Sequence, residues 1–126
     1  MAHLSIQSPF GDLTLFEEDG ALVSLDWGRV QGRGGSPLLS QAKDQLGAYF
    51  KGRLKAFDLP LAPRGTNFQK AVWDSMRAIP FGETRTYKSM AQGLRSGPRA
   101  VGGACGRNPL PILIPCHRVL GSQGNL

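Results

Sequence analysis

Near the C-terminal end, Pro115-Cys116-His117-Arg118-Val119 makes a nucleophile, a base and a cation immediate neighbours. A free cysteine is most often a small buried hydrophobe. Cationic neighbours change that by lowering the thiol pKa from about 8.5 toward the reactive thiolate. Cys116 is therefore the candidate nucleophile, and His117 is placed to act on it through a water or from a turn. Cys105 has no such company; it sits among small residues and reads as structural. Cys105, Cys116, His117 and a distant His3 fit no zinc spacing, so no metal and no cofactor is expected. There is no C-x-x-C, no H-E-x-x-H and no phosphate-binding glycine loop between a strand and a helix, and residues 28–35 read simply as a glycine-rich loop. A cysteine hydrolase would need a histidine from elsewhere in the chain, and only His3 is available.

The charge distribution says what such a nucleophile would meet. Residues 1–65 hold seven Lys/Arg against seven Asp/Glu, whereas residues 66–126 hold eight against two, Asp74 and Glu83. All of the +6 net charge lies in the half that carries Cys116. A basic region of that size is the footprint expected of a polyanion binder, because each phosphate neutralised releases condensed counterions. With 126 residues, 40% apolar and 19% charged, the chain has ordinary globular composition. No apolar run approaches the roughly 18 to 20 residues of a membrane span. Met1-Ala2-His3-Leu4-Ser5 shows no secretory signal, so a cytoplasmic location and free thiols are expected.

Around these residues the pattern predicts an α/β chain. Residues 3–7, 12–16 and 21–27 are β-compatible runs separated by turn sequences, a three-stranded meander. Ser36-Pro37 opens a helix that carries Leu39, Ala42, Leu46, Tyr49 and Phe50 on one face and stops at Gly52. Residues 54–59 are predicted to add an edge strand, and residues 60–65 form a stiff linker, which divides the chain into domains 1–65 and 66–126. Beyond it, Thr66 or Asn67 caps a helix bearing Phe68, Val72, Met76 and Ile79, and Thr86 caps another from Tyr87 to about Leu94. Ser96 is the expected N-cap of a third helix over residues 99–106, and the pair around Gly97 suggests a helix-turn-helix. That last helix holds three glycines in eight residues, against propensity by about 1 kcal/mol each. Its smallness serves either packing on another helix or close approach to a nucleic-acid groove. Ile112-Leu113-Ile114 reads as a buried strand that ends at Pro115 and delivers Cys116 to the edge of the core.

Pro115-Cys116-His117-Arg118-Val119, together with residues 99–104, 108–112, 68–73 and 79–84, closely resembles the O6-alkylguanine-DNA alkyltransferases, or methylated-DNA–protein-cysteine methyltransferases. The resemblance is carried by ordered motifs over residues 66–122 and is looser over residues 1–65. It implies a ribonuclease H-like N-terminal strand-helix domain and a winged helix-turn-helix domain. It also implies a stoichiometric repair protein consumed by a single irreversible transfer from O6-alkylguanine in double-stranded DNA, with O4-methylthymine as a further candidate substrate; with no visible dimerisation element, monomeric action is expected. On this resemblance Cys116 is the acceptor and His117 its base through a water. Arg99 fills the gap left by the flipped nucleotide, Tyr87 presses on the neighbouring phosphate, and Asn108 is the hinge before the active-site strand. Lys88 and Ser122 match DNA-contacting positions, Pro111 and Val119 wall the alkyl pocket, and Cys105 lies beside it. The stretch from Tyr87 to Arg99 is about two residues shorter than in mammalian relatives. The family also continues past the last residue, Leu126, into a Ser-Gly-Gly loop and a helix with a histidine-orienting glutamate, so a truncated chain is expected, with activity weak if 126 residues are the whole. The rival reading is a module that binds alkylated DNA without transfer; relatives of that kind replace the acceptor cysteine, and here position 116 is Cys.

Overall fold

A computed structural model describes residues 2–32 and 34–120, and His117 by its backbone alone. The chain divides into two compact units, Met1–Pro63 and Arg64–Leu126.

In the first unit, strands β1 (Ala2–Ser8), β2 (Gly11–Glu18) and β3 (Ala21–Trp27) form an antiparallel sheet in that order. The β2–β3 turn uses Asp19 and Gly20 at φ 53° and 78°, the paired positive angles of a tight hairpin. Leu13, Leu15, Leu22 and Leu25 are buried. Thr14 is tolerated among them because its hydroxyl bonds to Ser5 Oγ at 2.7 Å and donates to the Gly28 carbonyl at 2.8 Å. Helix α1 (Pro37–Phe50) starts where expected, the Ser36 hydroxyl accepting from the Leu39 N–H at 3.0 Å, and it buries Leu39, Ala42 and Leu46.

The edge strand expected over residues 54–59 is absent. The Gln45 carboxamide holds Asp58 on both sides, donating to its carbonyl at 3.1 Å and accepting from its N–H at 2.9 Å, so a side chain takes the bonds a ladder would need. Pairing reaches the sheet one step later, as a single parallel bridge from Leu61 to Leu22.

The second unit is helical. Helix α2 (Asn67–Arg77) begins with a reciprocal cap, Thr66 accepting from the Gln69 N–H and the Gln69 side chain from the Thr66 N–H. Gly65 precedes this cap; a β-carbon there would stand 2.6 Å from the Trp73 ring and 2.7 Å from Gln69 Oε1, so only glycine fits. Helix α3 (Tyr87–Leu94) is capped by Thr86, and helix α4 (Pro98–Gly106) packs against both α2 and α3. Val72, Trp73, Met76, Met90, Val101, Ala104 and Cys105 make the buried seam. The Trp73 indole N–H donates to the Ala104 carbonyl at 2.9 Å and fixes α2 against α4.

Ser96 does not cap α4. Arg95 takes the left-handed conformation at φ 55°, and the Ser96 N–H turns back to the Ala91 carbonyl at 2.8 Å, closing α3 instead. Gly97 is the N-cap and supplies no side-chain bond. The predicted buried strand over residues 112–115 is likewise a turn: Ile114 donates to the Leu110 carbonyl at 2.8 Å, and the prolines at 111 and 115 remove ladder donors on either side. The strand character appears later, where β5 (Val119–Leu120) pairs in parallel with β4 (Arg85–Thr86). The architecture is thus α/β, a strand-and-helix unit followed by a helical unit with a helix-turn-helix and a two-stranded element.

Candidate functional site

Cys116 opens a single 3-10 turn, Cys116–Arg118, directly before β5, and is half-buried. Its N–H donates to the Ile114 carbonyl at 2.9 Å. That same carbonyl accepts from Asn108 Nδ2 at 2.8 Å, while Asn108 Oδ1 accepts from the Leu110 N–H at 2.9 Å. Asn108 therefore joins the end of α4 to the segment carrying Cys116, with both ends of its carboxamide engaged inside the loop. Arg118 does not direct its guanidinium along the chain toward its neighbours. Nη1 donates to the Ile79 carbonyl at 2.7 Å and the group lies over the Phe81 ring, 5.5 Å from its centre, pinning the Cys116–Arg118 turn to the loop after α2. The side chain of His117, and Ser122 altogether, lie outside the described residues.

Tyr87, Cys105 and Cys116 form an electrostatically coupled group. Burial pushes the Cys105 thiol up to about 11, with negative charge on Cys116 as the second cause. The Tyr87 hydroxyl is raised by burial first and by both sulfurs after it. Cys105 is buried, its thiol donating to Met76 Sδ at 3.5 Å. It is a protonated packing residue at neutral pH, facing the core. Because the folded chain keeps this proton beyond the point at which an unfolded thiol loses it, at the ordinary 9.0, the contribution of Cys105 to folding stability is fully present below pH 9 and is lost as pH rises from 9 toward 11. Urea unfolding at a series of pH values should show this decline in the parent, and a shallower one in Cys105→Ala.

Val119 is fully buried, and Pro111 is half-buried and bridged to Ile114. A cavity of about 330 Å³ lies elsewhere, along α2 and α3, lined by Ser75, Ile79, Arg85, Ser89 and Met90. No residue singled out in the sequence for chemistry lines it.

Tyr87 and Lys88 are the first two residues of α3, the tyrosine half-buried and the lysine exposed. Arg99 is exposed at the second position of α4. Val101, Ala104 and Cys105 take the inner face of α4 and leave Arg99, Gly103 and Arg107 on an outer line at four-residue steps. The structure separates the two readings of the small residues. A β-carbon added at Gly102, Gly103 or Gly106 would meet nothing within 4 Å among the described residues, so packing inside this unit does not require these glycines. They lie open between two guanidinium-bearing positions. Arg107 was not singled out in the sequence; its four-residue step from Gly103 and eight from Arg99 was the available signal. The structural roles of Trp73 and of the Arg118 guanidinium carried no local signal, since their partners lie 31 and 39 residues away.

Residues 67–126 match the 6-O-methylguanine DNA methyltransferase DNA-binding domain, and residues 1–63 match the ribonuclease-like domain of the same family. The methylated-DNA–protein-cysteine methyltransferase of Methanosarcina barkeri is 47% identical over 131 residues, covering 96% of this chain and 83% of that protein. The crystal structure of Mycobacterium tuberculosis OGT in complex with DNA superposes with a TM-score of 0.86 at 43% identity, covering 98% of this chain and 80% of that one. An O6-methylguanine DNA methyltransferase structure from Methanococcus jannaschii gives a TM-score of 0.69 at 30% identity, with 98% and 83% covered.

Proposed function

The chain belongs to the 6-O-methylguanine DNA methyltransferase family, and on that premise we propose that it repairs double-stranded DNA by moving the alkyl group of O6-alkylguanine irreversibly onto Cys116. As a DNA-repair methyltransferase it binds DNA and uses a protein cysteine as acceptor. The observation that carries the reading is the open glycine line of α4 with Arg99 and Arg107 at its ends, in the same unit as a half-buried cysteine at a turn.

The outer line of α4 enters the minor groove, where small residues let backbone approach backbone. Arg99 fills the stack vacated by the flipped guanine and brings charge to the phosphates. Tyr87 and Lys88, at the N-terminal end of α3, meet the flanking phosphate, where backbone N–H groups favour anions. Arg107 adds a second backbone contact at the far end of α4, and Ser122 a further one. Flipping costs a few kcal/mol and costs least for a poorly paired base, which favours the lesion before any pocket contact.

In the transfer, the Cys116 sulfur, its proton taken by His117 through a water, attacks the alkyl carbon. The carbon–O6 bond breaks as the carbon–sulfur bond forms, and the guanine leaves with a proton. The product is a thioether, and nothing in the site cleaves it, so each molecule reacts once. Pro111 and Val119 form the pocket wall, with Cys105 behind it. Asn108 keeps the recognition helix and the acceptor turn in fixed relation. We place the functional division at Gly65, domain 1–65 preceding the DNA-binding domain, and the protein works as a cytoplasmic monomer without a cofactor.

Arg99→Ala tests the duplex part of this reading. It should slow methyl transfer from an O6-methylguanine duplex by about a hundredfold, the loss of a single well-placed contact of 2 to 3 kcal/mol, and leave reaction with free O6-benzylguanine within about threefold of the parent. Equal losses on the two substrates would remove Arg99 from the DNA.

A further inference from the structure

We infer that Ile112 is a positioning residue for the alkyl transfer, its left-handed backbone fixing where Pro111 and Cys116 stand; this rests on the reading of Cys116 as acceptor. Among the described residues only Asp19, Arg95 and Ile112 are non-glycine with positive φ, and Ile112, at 75°, is the only β-branched one. Asp19 lies in a hairpin turn and Arg95 ends a helix, places where this conformation is routine. For a β-branched side chain it is a true outlier. Pro111 followed by a positive-φ residue is the order of a type II turn, whose second central position normally goes to Gly or Asn.

Such a conformation persists only where the surroundings over-determine it, and here the surroundings are explicit. Ile114 donates to the Leu110 carbonyl at 2.8 Å, and Leu110 donates to Asn108 Oδ1 at 2.9 Å. Asn108 Nδ2 donates to the Ile114 carbonyl at 2.8 Å, and the Cys116 N–H joins that same carbonyl at 2.9 Å. The strained residue is thus enclosed by a ring of bonds whose last member is the backbone of the acceptor itself. A glycine at 112 would satisfy the same angle without strain and would also open many others, so the turn would lose its single geometry. Isoleucine, restricted at χ1 and intolerant of intermediate angles, leaves the turn one arrangement compatible with those bonds.

The test compares the parent, Ile112→Gly and Ile112→Val in the full chain, with Cys116→Ala as the blank. Ile112→Gly should keep or raise the unfolding midpoint, because strain is removed, and leave the half-saturating duplex concentration unchanged. Its transfer rate at saturation should fall about tenfold, on duplex and on free O6-benzylguanine alike, as a small misplacement of reacting groups does. Ile112→Val, which keeps the branched β-carbon, should restore the parent rate. An unchanged saturating rate in Ile112→Gly overturns the inference, as does a rate loss that comes with a lowered unfolding midpoint. Hydrogen exchange at the Cys116 amide reads the positioning without the reaction: protection should drop in Ile112→Gly, and unchanged protection also overturns it. Failure of the acceptor reading is separately visible, as a parent protein that gains no alkyl group on Cys116.

Discussion

Cys116→Ala should take up no alkyl group from an O6-methylguanine duplex while holding that duplex with an affinity within about threefold of the parent. The asymmetry follows from where the residue sits. Its backbone N–H bond to the Ile114 carbonyl survives the substitution, and so do the Asn108 bonds that brace the turn. The exposed groups assigned to DNA, Arg99, Lys88 and Arg107, belong to α3 and to α4 with its C-terminal cap, and are untouched. What disappears is the half-buried thiol of the two cysteines; the other, Cys105, is buried against Met76 and keeps its proton, its thiol pushed up to about 11. No second group can take over, so the effect on transfer is total rather than graded. Intact mass after incubation measures the transfer and fluorescence anisotropy measures the binding. Parallel loss of both would make Cys116 a structural residue and return the chain to a lesion-binding or purely architectural role.

Gly103→Leu should move stability and DNA affinity in opposite directions. Among the described residues a β-carbon at this exposed position meets nothing within 4 Å, so a side chain added there starts into open space. Helix propensity then favours the substitution by about 0.8 to 1 kcal/mol, and the unfolding midpoint should rise. In the proposed complex the same side chain would stand between the helix backbone and the groove floor, and it should weaken binding by at least about tenfold, with methyl transfer at limiting duplex falling in proportion. Reaction with free O6-benzylguanine, which needs no groove, should stay at the parent rate. Retained duplex affinity would mean that α4 does not lie against DNA and that its glycines have no assigned purpose. Calorimetry or thermal denaturation beside anisotropy separates these outcomes in one preparation.

The parts of the fold legible in the sequence were those whose cause is local. Ser36-Pro37, Thr66 and Thr86 each mark a helix start by a bond made within three residues, and all three helices begin there; of the two caps open for α2, Thr66 or Asn67, the structure uses Thr66. Residues 54–59 and 112–115 were misread because short apolar runs are ambiguous and their outcome was set by side chains outside the run. Gln45 takes the backbone of Asp58, and Asn108 takes the backbone of Leu110 and Ile114. Ser96 carried a capping signal, but it falls in the turn that closes α3, and α4 starts one residue too late for it, at Pro98 with Gly97 as the cap.

The site shows the same division. The residue types in Pro115-Cys116-His117-Arg118 announced a nucleophile, and the helix bearing Arg99 announced close approach to something. Which way each group faces was not legible. Arg118 looks like a cation beside a thiol until its partner, the Ile79 carbonyl, is known. The glycines of α4 look equally suited to an inner or an outer surface until the space around each absent β-carbon is inspected. Direction depends on contacts between elements far apart in the chain, and periodicity carries only which residues share a face.

Mass measurement with peptide mapping decides whether Cys116 is the alkyl acceptor. The protein is incubated with an O6-methylguanine duplex and, separately, with the unmodified duplex. One added methyl group is expected, on the peptide that carries Cys116, with none on the Cys105 peptide and none after the control. A methyl group on Cys105, or no added mass in a sample that still prefers the lesion duplex, would contradict it.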